Sequence, residues 1–268
     1  MNTWMERLNR RTGALGSLCV GIDPHVGLLQ AWGLPVSLDG LRRFADRTVT
    51  ALADQVACFK PQVAFFERWG SQGMAVLEET LANLRQAGAL VIADAKRGDI
   101  GSTMQAYADA WLGEGPLACD ALTVSPYLGI GALQPAIDLA AAKQRGLFVL
   151  ARTSNPEGTA IQLAWTSDGR SVAQTMVDAA GQINHDLGTP VMGLVVGGTR
   201  ADVGVDLTDF QGTVLIPGIG AQGGTMSGLR SSFAGTKAKL LPSVSREVLA
   251  AGPAAASLRA SVARLLAS

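Results

Sequence analysis

The chain has 268 residues, 48% of them hydrophobic and only 16% charged, with 22 Lys+Arg against 22 Asp+Glu. That composition excludes a disordered chain, which lacks the apolar surface to fold. The charge balance argues against an electrostatic nucleic-acid binder, which carries a basic excess.

The opening stretch MNTWMERLNRRTG lacks the apolar segment of a signal peptide. It predicts a helix over Thr3–Arg11, placed to plug the bottom of a barrel. Eight short β-rich runs follow, alternating with longer helical stretches. The first four are LCVGID (Leu18–Asp23), ACFKP (Ala57–Pro61), LVIADAK (Leu90–Lys96) and ALTVSPY (Ala121–Tyr127). The second four are LFVLARTS (Leu147–Ser154), VMGLVVG (Val191–Gly197), TVLIPG (Thr213–Gly218) and KLLPSVS (Lys239–Ser245). Each is apolar along its length, as strands covered on both faces are.

Leu41, Phe44, Ala45, Val49, Leu52 and Val56 form one helical stripe between the runs, and Val172, Met176, Ala179 and Ile183 form another. Residues 155–171 make the longest irregular connection and read as an inserted loop decorating the surface. Residues 218–235, rich in Gly and Ser, read as a mobile loop. No composition break divides the chain, so residues 1–268 are expected to form a single domain. No run of about twenty apolar residues occurs, so no membrane contact and a cytoplasmic protein are expected. Cys19, Cys58 and Cys119 are odd in number and lie in or beside apolar runs, which suits small core hydrophobes. With only His25 and His185 present, zinc motifs of the H-E-x-x-H kind are absent.

Eight βα units in series predict a TIM (β/α)8 barrel. A doubly wound open sheet is the alternative, but no G-x-G-x-x-G follows the first run. In a barrel the chemistry sits where strands end, and these ends are polar. They carry Asp23, Lys60, Asp94 with Lys96, Ser125, then Thr153 with Ser154, Gly197-Gly198, Pro217-Gly218 and Ser243 to Arg246. Singly, each has an ordinary reading: Asp23 before Pro24 as a turn former or cap, Lys60 as a lysine reaching from a strand end to water. Asp94 and Lys96, two apart on a strand, face the same side, with Lys60 arriving from the neighbouring strand. The glycines of the last loops can bring backbone N–H groups close to an anion, and Arg246 can grip phosphate oxygens in a bidentate contact. A phosphorylated substrate follows.

D-A-K-R-G-D-I (Asp94–Ile100) resembles the signature of the orotidine 5′-phosphate decarboxylases in their longer, type 2 bacterial form. G-I-D-P (Gly21–Pro24), F-K-P (Phe59–Pro61), T-S-N-P (Thr153–Pro156), P-G-I-G-A-Q-G-G (Pro217–Gly224) and S-V-S-R (Ser243–Arg246) extend the likeness across nearly the whole chain. The resemblance implies loss of CO2 from orotidine 5′-phosphate to give uridine 5′-phosphate, with neither metal nor organic cofactor. It implies a charged array of Lys60, Asp94, Lys96 and Asp99, with Lys96 stabilising and then protonating C6 of the pyrimidine. It further implies a homodimer in which Asp99, Ile100 and Thr103 complete the partner's site. Asp23 and Lys60 would bond ribose hydroxyls, Thr153 and Ser154 would meet the pyrimidine edge, and Pro217, Gln222 and Arg246 would complete substrate binding. Gly198 stands where small residues are usual, with no evident consequence, and Arg97 is left to a structural role. Two rivals stand beside this reading: a Schiff-base aldolase or isomerase with Lys96 as nucleophile, and a non-catalytic phosphosugar- or nucleotide-binding protein.

Overall fold

The computed structural model describes residues 2–199, 202–220 and 223–268. Eight parallel strands close into one barrel in chain order, each paired with its sequence neighbour and the last with the first. They are β1 (Cys19–Ile22), β2 (Cys58–Pro61), β3 (Leu90–Arg97), β4 (Ala121–Val124), β5 (Gly146–Arg152), β6 (Met192–Val196), β7 (Thr213–Pro217) and β8 (Lys239–Val244). All eight expected runs are strands, with ends that coincide or shift by up to three residues. The largest shift is in β4, which stops at Val124 because Pro126 has no N–H to donate and Tyr127 turns out to solvent.

The helices up to β5 are α1 (Trp4–Leu15), α2 (Val26–Ala31), α3 (Leu38–Leu52), α4 (Ala64–Glu67), α5 (Gly70–Gln86), α6 (Gly101–Leu112) and α7 (Gln134–Ala142). After it come α8 (Thr159–Gln162), α9 (Val172–Leu187), α10 (Met226–Ser232), α11 (Arg246–Leu249) and α12 (Ala255–Ala267). Val56, included in the first apolar stripe, lies beyond the end of α3 but is still buried. Residues 218–235 are not irregular throughout, because Thr225 caps α10 by accepting from the Gly228 N–H at 3.0 Å. The 155–171 segment likewise carries α8 and a 3-10 turn at Pro156–Gly158.

Two apolar cores result. One lies between the barrel and its helices. The other fills the barrel interior, where Trp4 and Leu8 of α1 pack with Cys19, Cys58, Ile92, Phe148 and Leu241. The first helix therefore does plug the barrel. Thr3 and Glu6 form a reciprocal capping box at its start, and its length exceeds the expected span, ending at Gly16 with φ +82°. Arg11 fixes it in place by donating to the carbonyls of Ala53, Val56, Ala57 and Gly88 at 2.8–2.9 Å. The Trp4 ring meets Phe148 edge-on at 6.0 Å. All three cysteines are free and buried, and burial pushes the Cys119 thiol up to about 12. Among the described residues no helix is long and apolar enough to cross a membrane.

Candidate active site

With α1 closing one end, the interior opens toward the C-terminal ends of the strands, where a cavity of about 270 Å³ lies. Leu150, Val195 and Leu215 form its apolar floor. Above them β2 presents Lys60 and β3 presents Asp94 and Lys96. Asp94 sits between the two lysines. Its Oδ2 accepts from Lys60 Nζ at 2.8 Å and its Oδ1 from Lys96 Nζ at 2.6 Å. Gln62 Nε2 adds a second bond to Oδ2 at 2.9 Å, and Thr123 Oγ1 a second to Oδ1 at 3.1 Å.

Four donors on one carboxylate make a rigid array in a low-dielectric setting. Burial alone would raise the Asp94 carboxyl, but the two ammonium groups outweigh it and hold it well below the usual carboxylate range. Burial would equally lower the Lys60 ammonium, and Asp94 together with Asp23 reverses that, holding it above the ordinary lysine value. The lysines differ in access: the Lys60 side chain is 8% exposed and Lys96 is 45% exposed. Both lysines line the cavity, and the Lys96 ammonium is the more accessible of the two to a ligand there.

Asp23, Thr153, Ser154, Pro217 and Arg246 also line the cavity. The Asp23 Oδ1 and Ser245 Oγ atoms are buried there without a hydrogen-bond partner among the described residues. Arg246 is the first residue of α11. Gln222 lies outside the described residues. Asp99, Ile100 and Thr103 do not line this cavity: Asp99 accepts from the Ile100 N–H at 2.8 Å just before α6, and Ile100 and Thr103 are exposed. Asp99 forms no ion pair among the described residues, so the charged array within one chain has three members.

Of the glycines expected to offer amides to an anion, Gly197, Gly198 and Gly220 use theirs otherwise. The Gly197 N–H donates to the Arg152 carbonyl at 2.8 Å and the Gly198 N–H to the Pro217 carbonyl at 3.0 Å. The Gly220 and Gly224 amides are likewise used inside their own loop. These glycines serve close packing: a Cβ on Gly197 would lie 2.8 Å from the Ser154 amide nitrogen, and one on Gly198 2.6 Å from Ile216 Cγ2. The 155–171 segment is more than surface decoration. Gln162 Oε1 accepts from the Thr153 N–H at 2.9 Å and from Arg152 at 3.0 Å, and its Nε2 donates to Thr153 Oγ1 at 2.8 Å. Arg97 pairs with Glu67 and lies over Tyr107 and Trp111, a structural role.

Gln62 and Thr123 were not singled out from the sequence. Gln62 stands one residue past F-K-P, and Thr123 is the one polar side chain in the run ALTV, which was the available signal.

A family model described as orotidine 5′-phosphate decarboxylase / HUMPS family matches residues 16–261. An orotidine 5′-phosphate decarboxylase of Salinispora arenicola is 55% identical over 271 residues, covering 100% of this chain and 97% of the relative. Its counterpart from Salinispora tropica is 54% identical with the same coverage. A crystal structure provisionally assigned as this decarboxylase, from Streptomyces avermitilis, superposes with a TM-score of 0.95 at 51% identity, over 100% of this chain and 94% of that one. The Leishmania donovani OMP decarboxylase is similar over the full length of both chains, with a TM-score of 0.78 at 28% identity.

Proposed function

The chain belongs to the orotidine 5′-phosphate decarboxylase / HUMPS family, and we infer that the polar mouth of its barrel is where the family's chemistry takes place. The activity is decarboxylation of orotidine 5′-phosphate to uridine 5′-phosphate and CO2, a step of pyrimidine biosynthesis. The observation that carries the site assignment is Asp94 held between two ammonium groups, one of them facing the cavity.

Breaking the bond from C6 to the carboxylate leaves an electron pair in an sp² orbital of the pyrimidine. The Lys96 ammonium beside that carbon stabilises the developing charge and then delivers a proton to it. CO2 departs, and the neutral amine regains a proton from water. Asp94 fixes the ammonium and, being anionic, disfavours the substrate carboxylate beside it. Lys60 holds Asp94 and, with the unpartnered Asp23 oxygen, meets the ribose hydroxyls. Thr153 and Ser154 contact the base, Gln222 serves both base and phosphate, Pro217 adds to substrate binding, and Arg246 binds the phosphate.

Asp99, Ile100 and Thr103 act on a neighbouring site in a homodimer. Ile100 is 63% exposed, Tyr127 78% and Leu128 54%. The Ser125 N–H donates to the Arg97 carbonyl at 2.8 Å, which sets the two loops carrying them side by side. Burying such an apolar edge against a second copy is favourable at about 25 cal/mol per Å², and would bring Asp99 to the partner's lysines.

The test incubates the protein with orotidine 5′-phosphate without added metal and follows loss of the orotate chromophore. Lys96→Ala is expected to lose turnover by orders of magnitude while still binding uridine 5′-phosphate. Mixing Lys96→Ala with Asp99→Ala chains should restore one intact site per heterodimer, about a quarter of parental activity under random assortment. No recovery in proven heterodimers would refute the shared site.

A further inference from the structure

Lys96 has φ +49°, a left-handed backbone conformation uncommon for a residue with a side chain. It falls where the β3–β4 ladder breaks: Ala93 faces Leu122 and Arg97 faces Val124, so four steps on one strand span two on the other. The Lys96 N–H has no ladder partner there. It donates instead to the Thr123 hydroxyl, at 2.9 Å. That hydroxyl has one proton of its own, directed to Asp94 Oδ1 at 3.1 Å, with the Ala93 carbonyl further off at 3.4 Å.

Thr123 thus joins both ends of the same lysine. Its oxygen holds the Lys96 backbone, and its proton supports the carboxylate oxygen that receives the Lys96 ammonium. It is buried and β-branched on β4, so its own rotamer is stiff. We propose that Thr123 is a positioning residue, which holds Lys96 in its left-handed conformation and so keeps its ammonium at Asp94 and at the reacting carbon. The proposal rests on Lys96 being the proton donor of the decarboxylation. Gln62 bonds the other Asp94 oxygen and forms no hydrogen bond to Lys96 among the described residues, so it lacks this double role.

The experiment compares Thr123→Val, which keeps shape and loses the hydroxyl, with Thr123→Ser, which restores it. Val is expected to lower kcat about 10- to 100-fold, the scale of an ångström of misplacement. KM and the affinity for uridine 5′-phosphate should stay within about threefold, because the lost interaction matters in the transition state. Ser should return kcat to near the parental value. A Val variant at parental kcat, a Ser variant as impaired as Val, or a loss confined to KM would each overturn the role. Nucleotide binding reports on folding, and if Val does not fold, Thr123→Cys, which keeps a single γ atom with a weaker donor and acceptor, is read by the same criteria. A parent with no decarboxylase activity would refute the underlying function, whereas an active parent beside an unimpaired Val variant refutes only Thr123.

Discussion

Replacing Asp94 with Asn removes one charge and leaves two. Lys96 is half exposed and can turn its ammonium to water, but Lys60 is buried and has no such escape. The cost therefore falls on Lys60, and breaking one side of a buried pair costs about 3–5 kcal/mol. At about 2–4 °C per kcal/mol for a chain near this size, Tm at pH 7 should fall by about 6–20 °C. The pH dependence separates this cause from simple misfolding. In the parent, the Asp94 carboxyl is held low and the Lys60 ammonium high. Their contribution is lost only as pH falls below the usual carboxylate range or rises past the usual lysine value of about 10.4. In the variant, burial still disfavours the Lys60 charge and its nearest counter-charge is gone. Its folded pKa then drops below that of the unfolded chain, so the unfolded state binds more protons and stability rises toward alkaline pH. Thermal unfolding followed by circular dichroism, at one protein concentration and at pH 7 and 9.5, should show a deficit that narrows at the higher pH. A Tm at pH 7 within 2 °C of the parent (about 1 kcal/mol or less), or a deficit independent of pH, would refute the reasoning.

Gln162→Ala should raise KM for orotidine 5′-phosphate about 3- to 10-fold with kcat little changed, since about one hydrogen bond's worth of support is lost from Thr153. Steady-state kinetics reads both constants, and an unchanged KM would return residues 155–171 to surface decoration. Gly198→Ala should destabilise the fold by about 1–3 kcal/mol, because the new methyl meets side-chain carbons of Ile216, Ile219 and Leu229 at 2.6–3.0 Å and forces them to shift in a packed core. Urea unfolding at fixed concentration gives that value directly.

The alternation of apolar runs with helical stripes was enough to place all eight strands, because a strand buried on both faces must be apolar throughout while its helices need one stripe. Polar residues at the ends of those runs marked the site for the same reason: a charge that interrupts a buried run needs a partner. Asp23, Lys60, Asp94, Lys96, Thr153, Ser154 and Arg246 were legible in this way and share one cavity. What the linear order did not carry was pairing across strands. Gln62 and Thr123 become donors to Asp94 only because barrel closure sets β2, β3 and β4 side by side. Gly197, Gly198 and Gly220 looked like parts of anion-binding turns, and only the folded contacts showed that their amides are occupied and that the missing side chains of Gly197 and Gly198 leave room for Ser154, Ile216 and Leu229. Asp99 sits in the same short motif as Asp94 and Lys96 but on the far side of a kink at Lys96. Residue type and spacing determined which groups this protein brings to its barrel mouth. Three-dimensional contact decided which of them touch, since hydrogen bonds and close packing act over a few ångströms between strands that lie thirty residues apart in the chain.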